Sequence, residues 1–162
     1  MKMIDAELQR RLIEPFPPED HLDRPLPGGN RWFYIKWQKI RSRLHQACPD
    51  WEVAYSDPII AGDMTVIRCR ITIAGVTREG IGNSASYPDK KAYGSPIELA
   101  RADAFKEAAE MFGVAAYLDD QEYVVKYLHK HNDGRAYRYY TENKERDAGV
   151  RGRKNTPLVK KS

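Results

Sequence analysis

The fold is decided by residues 95–118, which read SPIELARADAFKEAAEMFGVAAYL. Ser95 followed three residues later by Glu98 is the pattern of a capping box, and Pro96 stands at the first helical position, where a missing N–H is harmless. Gly113 supplies a left-handed stop, so the stretch predicts one long helix with defined ends. At 100° per residue its apolar side chains form an arc that we expect to face a sheet, made of Ile97, Ala100, Ala104, Ala108, Met111 and Phe112.

Three segments ahead of this helix alternate between apolar and polar residues, as half-buried strands do. They read WEVAYS at 51–56, TVIRCRITIAG at 65–75 and GVTREGIG at 75–82, the last beginning after a tight turn near Gly75. This order predicts the α+β fold class, with an antiparallel sheet of three to four strands packed on the long helix in a β-β-β-α core.

The flanking segments are less regular. Apolar residues recur at helical spacing over 3–14, and a second short helix fits residues 34–47. Between them, the proline- and glycine-rich residues 15–30 predict an irregular arm. Residues 123–140 fit either a helix followed by a loop or a hairpin that turns at 132–134.

We divide the chain into three parts from these patterns. An N-terminal helix and Pro/Gly-rich arm occupy residues 1–30, a core occupies residues 31–141, and a basic tail occupies residues 142–162. The tail is charged, contains glycine and has few apolar residues, so we expect it to be disordered.

The composition excludes several classes of protein. Of the 162 residues, 41% are hydrophobic, and no run of them has the length of a membrane span or the pattern of a signal peptide. The two cysteines, Cys48 and Cys69, have neither ligand-like spacing nor a disulfide framework. We therefore expect a cytoplasmic protein without membrane contact.

The positive charge is unevenly distributed. Residues 144–162 carry seven basic and two acidic side chains, a net charge of +5, and residues 31–106 carry twelve and eight, a net charge of +4. Residues 107–143 carry four and seven, a net charge of −3. A positive middle beside a negative flank is more informative than a high pI alone, because a binding groove needs local charge.

Enzyme motifs are mostly missing from the sequence. It contains no glycine-rich phosphate-binding loop, no dinucleotide fingerprint and no catalytic serine or cysteine set, so we expect neither catalysis nor a cofactor. His129, His131 and Asp133 allow a metal site, but two nearby histidines without a third soft ligand are more typical of a surface. The acidic residues at 119–122 allow a nuclease cluster, although an acidic helix end explains them as well.

A basic and aromatic segment at 31–43, RWFYIKWQKIRSR, offers a different chemistry. Its cations suit a phosphate backbone, and exposed aromatic rings are stacking platforms for unpaired bases. Core packing is the preferred interpretation for Trp32, Phe33 and Trp37, because large aromatic residues usually lie inside. For its cations both interpretations stay open; those we select as candidate DNA contacts are Lys36, Lys39, Arg41 and Arg43.

Other basic residues stand on the predicted sheet and the long helix. Arg68 and Arg70 occupy the strand face opposite the apolar one, about 7 Å apart, which is close to the spacing of phosphates along an extended strand. Lys106 lies in the polar arc of its helix, where pairing with a nearby acidic residue is an adequate explanation. Arg101 projects on the apolar side, so it must either reach solvent or pair with a carboxylate.

Three segments together resemble the Rad52/Rad22 family of single-strand annealing proteins, and within it the bacterial DdrA-like branch. DAFKEAAEMFGVAAYL at 103–118 is similar to the long-helix motif of the family, D-A-x-K-R-x-x-x-x-F-G-x-x-x-Y-L. YIKWQKIRSRLHQACPDW at 34–51 resembles the helix that precedes the sheet, and ITIAGVTREGIG at 71–82 resembles the hairpin. The order and spacing of the three segments make the resemblance specific over residues 30–120.

The resemblance implies a ring of subunits that holds single-stranded DNA in a positive groove, with phosphates inward and bases exposed. Lys106 matches the motif lysine and Lys39 a basic groove position, which implies two phosphate contacts. Glu107 departs from the family pattern, because an arginine is usual there; Arg43, Arg68 or Arg70 would compensate. The full set of DNA contacts that we predict is Lys36, Lys39, Arg41, Arg43, Arg68, Arg70, Arg78, Lys90, Lys91 and Lys106.

The implied function is that of a non-catalytic protein of recombinational repair. It would bind single-stranded DNA and promote ATP-independent annealing, protect 3′ ends, or both, in association with the nucleoid and with a single-strand-binding protein or other repair proteins as partners. Two alternatives remain. One is a ring scaffold that recruits repair partners and contacts DNA mainly through the basic tail; the other is a metal-dependent nuclease.

Overall fold

The computed structural model describes residues 2–27, 31–86 and 94–135. Its antiparallel sheets and α-helices confirm the α+β class. In chain order the elements are α1 (Ala6–Ile13), β1 (His21–Pro25), β2 (Arg31–Ile35), α2 (Trp37–Ala47), β3 (Glu52–Tyr55), β4 (Ile59–Ala61), β5 (Met64–Ile73), β6 (Val76–Ala85), α3 (Pro96–Glu110) and α4 (Gln121–Lys130), with short 3₁₀ turns at Pro18–Asp20 and Ala116–Asp119.

These elements form two compact units. The first contains the described residues of Met1–Asp20 and Ile35–Tyr117, and therefore α1, α2, the strands β3 to β6, and α3. The second contains the described residues of His21–Tyr34 and Leu118–Ser162, and therefore β1, most of β2, and α4.

The sheet of the first unit is built around β5. Strand β6 pairs antiparallel with β5 along its whole length, from Met64 opposite Ala85 to Ile73 opposite Val76. The two strands are joined by Ala74 and Gly75, whose φ angles are 50° and 76°. Two consecutive positive φ values are what a two-residue hairpin loop requires, and the tight turn predicted near Gly75 is confirmed.

The other edge of β5 carries two short strands instead of the one predicted at 51–56. Strand β3 pairs with Cys69–Thr72 and β4 pairs with Met64–Val66, so both lie in line along one edge. Pro58 lies between them and has no N–H to donate to the ladder. Between the end of β3 and the start of β4, the Ser56 hydroxyl accepts the backbone N–H of Arg68 at 2.9 Å. Strand β4 was not predicted.

The two faces of β5 differ as predicted. On one face the side chains Ile67, Cys69, Ile71 and Ile73 are buried. Arg68 and Arg70 alternate with them and are exposed on the other face. Burial raises the pKa of the Cys69 thiol to about 11, so this cysteine is an inert core residue at neutral pH.

Helix α3 lies directly against β6 at two glycines. A Cβ at Gly82 would come within 2.7 Å of the Ala104 Cα, and a Cβ at Gly80 within 2.7 Å of the Ala104 carbonyl oxygen. Small residues on both sides therefore allow the two backbones to touch. Ala100, Ala104 and Ala108 are fully buried at this contact.

The ends of α3 agree with the sequence, but its apolar arc needs a correction. Ser95 and Glu98 form the predicted capping box, and Gly113 has a φ of 85°. Ile97 and Met111, however, are 45% and 57% exposed. The close contact with β6 runs from Ala100 to Ala108, and these two residues lie past its ends. Phe105 and Ala109, which were left out of the arc, are buried in their place.

The prediction of an irregular arm at 15–30 is wrong for residues His21–Pro25, which form β1 and pair with β2. The helix predicted over 34–47 begins later, at Trp37, because β2 continues to Ile35. Core packing was the preferred interpretation for Trp32, Phe33 and Trp37. Phe33 is fully buried and agrees with it, whereas Trp32 and Trp37 are only half-buried.

The ambiguity after α3 is resolved in favour of a helix, α4. The Gln121 side chain at its start accepts the backbone N–H of Phe33 at 2.8 Å and donates to the Phe33 carbonyl at 3.1 Å. The Gln121 side-chain amide thus forms with the Phe33 backbone the two hydrogen bonds that a neighbouring strand would form. The predicted basic tail at 142–162 lies outside the described residues.

Candidate nucleic-acid interface

Helix α2 carries three of the predicted cations on its solvent side. Ile40 and Leu44 bury the opposite side, which leaves Lys36, Lys39 and Arg41 exposed. The Arg41 guanidinium lies over the Trp37 ring, 4.7 Å from its centroid. This arrangement orients a planar cation on a half-buried aromatic surface and leaves donors for a phosphate.

Lys39 is already paired with a carboxylate. Its Nζ lies 2.8 Å from Asp20 Oδ1, and the hydrogen bond to Asp20 raises the pKa of Lys39. The Lys39 side chain is nevertheless 54% exposed. A phosphate can therefore reach Lys39 in exchange for Asp20, and the assignment of Lys39 stays a prediction.

Arg43 is engaged in a structural contact. Its Nη1 donates to the backbone carbonyls of Arg11 and Glu14, at 3.2 and 2.6 Å, and its guanidinium lies 4.1 Å from the centroid of the Phe16 ring. The side chain thereby satisfies carbonyl groups at the C-terminal end of α1, which have no partner within the helix. DNA contact by Arg43 stays a prediction, and in this geometry its Nη1 is occupied by the two carbonyls.

The two sheet arginines differ in their partners. Arg70 is paired with Glu79 on the neighbouring strand, with an Nη2–Oε1 distance of 2.8 Å. Within the described residues no ion pair forms at Arg68, which lines a small hollow of about 150 Å³ with Arg70 and Ser56. Both arginines face solvent on the side of the sheet that α3 does not cover.

Lys106 lies on the outer side of α3 and is exposed. The nearby Asp103 accepts the backbone N–H of Asn83 at 3.1 Å instead, and no ion pair of Lys106 is found in the described part of the chain. The intrahelical ion pair considered for Lys106 is therefore absent from these residues. Arg78 is on the same sheet face as α3, and its guanidinium lies 5.9 Å from the centroid of the Phe112 ring.

The sequence analysis did not include a second arginine–aromatic pair, Arg101 and Tyr55, among the predicted DNA contacts. The Arg101 guanidinium lies 4.3 Å from the centroid of the Tyr55 ring. Burial raises the pKa of the Tyr55 phenol, and the charges of Arg101 and Arg41 act in the opposite direction, so both cations lie near this hydroxyl. The sequence analysis placed Arg101 on an apolar side and expected it either to reach solvent or to pair with a carboxylate; Arg101 does reach solvent, and its aromatic partner was not foreseen.

Trp37, Tyr55 and Arg101 line a cleft within the first unit. The cleft has a volume of about 600 Å³ and lies between α2, β3 and α3. The rings beneath are fixed by further packing, since Trp37 meets Phe105 edge to face at a centroid distance of 6.0 Å. We call this the arginine–aromatic cleft.

The acidic and histidine residues considered for metal chemistry have other contacts. Asp120 caps α4 by accepting the Tyr123 N–H, Glu122 pairs with Lys126, and Asp133 pairs with Arg135. The Arg135 hydrogen bond lowers the pKa of Asp133. In residues 2–27, 31–86 and 94–135 no three His, Cys, Asp or Glu side chains are close enough to hold a metal ion.

The eight predicted contacts that the structure describes do not form one surface in a single chain. Lys36 caps α2, Lys39, Arg41 and Arg43 lie on α2, Arg68 and Arg70 lie on the sheet face away from α3, and Arg78 and Lys106 lie on the α3 side. Lys90 and Lys91 lie outside the described residues. None of the described helices is both long and apolar enough to span a bilayer.

The chain is similar to known DNA repair proteins. It is 30% identical over 122 residues to the single-stranded DNA-binding protein DdrA of Deinococcus radiodurans, covering 71% of this chain and 56% of that protein. It is 30% identical over 125 residues to DdrA of Deinococcus deserti, covering 71% and 58%. It is 29% identical over 94 residues to the mitochondrial DNA repair RAD52-like protein 1 of Arabidopsis thaliana, covering 52% and 51%.

The chain thus spans little more than half the length of these relatives. The model of the Rad52/22 family of double-strand break repair proteins matches residues 5–137, which include every described element and most of the chain. The resemblance inferred from three sequence segments is confirmed: the chain belongs to the Rad52/22 family of double-strand break repair proteins.

Proposed function

We propose that this chain binds single-stranded DNA in recombinational repair, by ATP-independent annealing, by protection of 3′ ends, or by both. Family membership supports the proposal, as does the identity to two proteins that are named for binding single-stranded DNA. The proposed activity needs no catalytic group and no cofactor, because phosphate capture is electrostatic.

One observation carries the proposal: exposed cations on the described residues that are not neutralised by carboxylates. An unpaired surface cation can meet a phosphate without first losing a protein partner, whereas a paired one must exchange partners. The exposed predicted contacts that form no ion pair within the described part of the chain are Lys36, Arg41, Arg68, Arg78 and Lys106.

We propose further that several copies assemble into a ring. Ile59, Ile60 and Ile81 are 55%, 65% and 61% exposed, and large apolar side chains that are exposed near one another mark a surface that a second copy can cover. Ile81 stands opposite Arg68 on the sheet face away from α3. Assembly would therefore bring a second copy beside the sheet arginines, and would allow cations from both sides of the sheet to line one path for DNA.

The proposal is tested by titrating a fluorescent oligo-dT with the full chain at several salt concentrations. We expect log K to fall linearly with log salt, with a slope near −0.7 for each neutralised phosphate. Replacing Lys106 by alanine should reduce the magnitude of that slope by about 0.7 without a change in melting temperature.

The matched control is Lys130→Ala, which removes the same charge from the exposed end of α4. We expect it to bind like the wild type. Binding that is absent or insensitive to salt in the wild type would refute the proposed function. Equal effects of the two lysine variants would refute the assignment of Lys106 only.

A further inference from the structure

The arginine–aromatic cleft has the dimensions of a ligand site. Its volume of about 600 Å³ is within the range of roughly 300–1,000 Å³ that is common for small-molecule pockets. Its wall combines half-buried rings, Trp37 and Tyr55, with an exposed guanidinium, Arg101.

Two arginines lie over aromatic rings that line this cleft. Arg41, which is outside the lining itself, lies over Trp37 at 4.7 Å, and Arg101 lies over Tyr55 at 4.3 Å. Neither forms an ion pair within the described residues. Because both residues are exposed, each guanidinium can be reached by a planar ligand from the side away from its ring.

The charge of the cleft also favours an anion that carries a planar group. Glu98 is the one carboxylate in the described part of its wall, and its Oε2 accepts the Ser95 N–H at 2.8 Å in the capping box. Glu98 is therefore committed to the start of α3, while the Arg101 guanidinium lines the cleft and the Arg41 guanidinium lies over Trp37 in its wall. Nucleobases are known to stack on arginine planes, and guanidinium groups bind phosphate through several donors.

We propose that the arginine–aromatic cleft binds one nucleotide of a single strand, its base stacked on the Arg101 guanidinium and its phosphate held by Arg101 and Arg41. The proposal rests on the proposed function and deepens it, because it assigns a base contact where the cations alone would contact only the backbone. It predicts that part of the affinity depends on the presence of bases.

The test compares two probes of equal length: oligo-dT, and an abasic strand with the same number of phosphates. The variant is Arg101→Lys, which keeps the charge and removes the planar stacking surface. Stacking of one base contributes about 1–3 kcal/mol, or about 5- to 150-fold in affinity. We expect Arg101→Lys to weaken oligo-dT binding at least about fivefold and to leave binding of the abasic strand unchanged.

A second variant, Tyr55→Leu, removes the ring over which Arg101 lies, and should show the same selective loss. Tyr123→Leu is the matched control, because Tyr123 is 42% exposed on α4 and lies in the other unit. Melting temperatures establish that each variant is folded. Since Arg101 is exposed, its lysine variant remains informative if Tyr55→Leu does not fold.

The outcomes separate the two proposals. Unchanged binding of both probes by Arg101→Lys would overturn the nucleotide site and leave the proposed function standing. An equal loss on both probes would also overturn it, because Arg101 would then contact phosphate alone. Failure of the wild type to bind either probe would refute the proposed function itself.

Discussion

At Lys39 a carboxylate occupies the place that a DNA phosphate would take. Asp20 is only 16% exposed, and it lies 2.8 Å from the ammonium group. Ion pairs near a surface are weak, so a polyanion that offers several phosphates can compete with one aspartate. The Lys39–Asp20 ion pair would then set a threshold for binding, because it would weaken the binding of an isolated phosphate more than the binding of a strand.

This threshold can be tested with Asp20→Asn, which releases Lys39 without changing it. We expect the affinity for oligo-dT to rise, by up to about fivefold, because surface ion pairs are rarely stronger. Affinity is measured by fluorescence anisotropy at fixed salt. Asp23→Asn changes the net charge equally and releases Arg31, which is not a predicted contact. An equal gain in the two variants would indicate general electrostatics rather than the release of Lys39.

Arg43 illustrates why residue-level roles are hard to predict from sequence. Its basic and aromatic neighbourhood at 31–43 is typical of nucleic-acid binding, yet its guanidinium meets the carbonyls of Arg11 and Glu14 and the ring of Phe16. These partners lie about thirty positions earlier in the chain, and no local pattern connects them. The same holds for Arg101 and its tyrosine on another element.

At the scale of elements, the contact between α3 and β6 is the most demanding in the fold. Backbone atoms of the helix stand where a side chain at Gly82 would begin. Unlike the end of a flexible side chain, a helix backbone cannot move aside locally, so any Cβ there separates the helix from the sheet.

We therefore expect Gly82→Ala to lower the free energy of unfolding by about 3 kcal/mol or more, or to prevent folding. Urea denaturation followed by circular dichroism measures the change. Gly134→Ala is the matched control, since a Cβ at Gly134 meets nothing within 4 Å. Comparable stability of the two variants would contradict the close contact.

Elements with local signals were predicted well. The capping box at Ser95, the stop at Gly113 and the hairpin turn at Gly75 each depend on residues a few positions apart. Strands β1, β2 and β4 were not predicted. β1 and β2 have five residues each and pair with one another, and β4 has three residues and pairs with the longer β5, so pairing between distant segments supplies their order. The exposed ends of the α3 arc likewise depend on where β6 stops.

At the scale of the whole molecule, the distribution of cations sets a requirement on assembly. Arg68 and Arg70 are on the opposite side of the sheet from α3 and Lys106. Within one chain these cations therefore lie on two sides of the sheet, and in the proposed ring neighbouring copies would bring both sides to one path for DNA. The family resemblance implied a single groove, whereas the sequence pattern gives the face of each residue but not how copies are arranged.

The proposed function also requires that the core, and not the basic tail, supplies the DNA contacts. Residues 144–162 carry a net charge of +5, which by itself would attract DNA without specificity. A chain that ends at Thr141 retains every described residue and the whole segment that matches the family.

The most direct measurement is the salt dependence of oligo-dT binding for the full chain and for the chain ending at Thr141. We predict that the shorter chain still binds, with a slope that Lys106→Ala reduces by about 0.7 as it does in the full chain. If binding disappears with the tail, or if Lys106→Ala leaves the slope of the shorter chain unchanged, the cations of the folded core do not hold the strand.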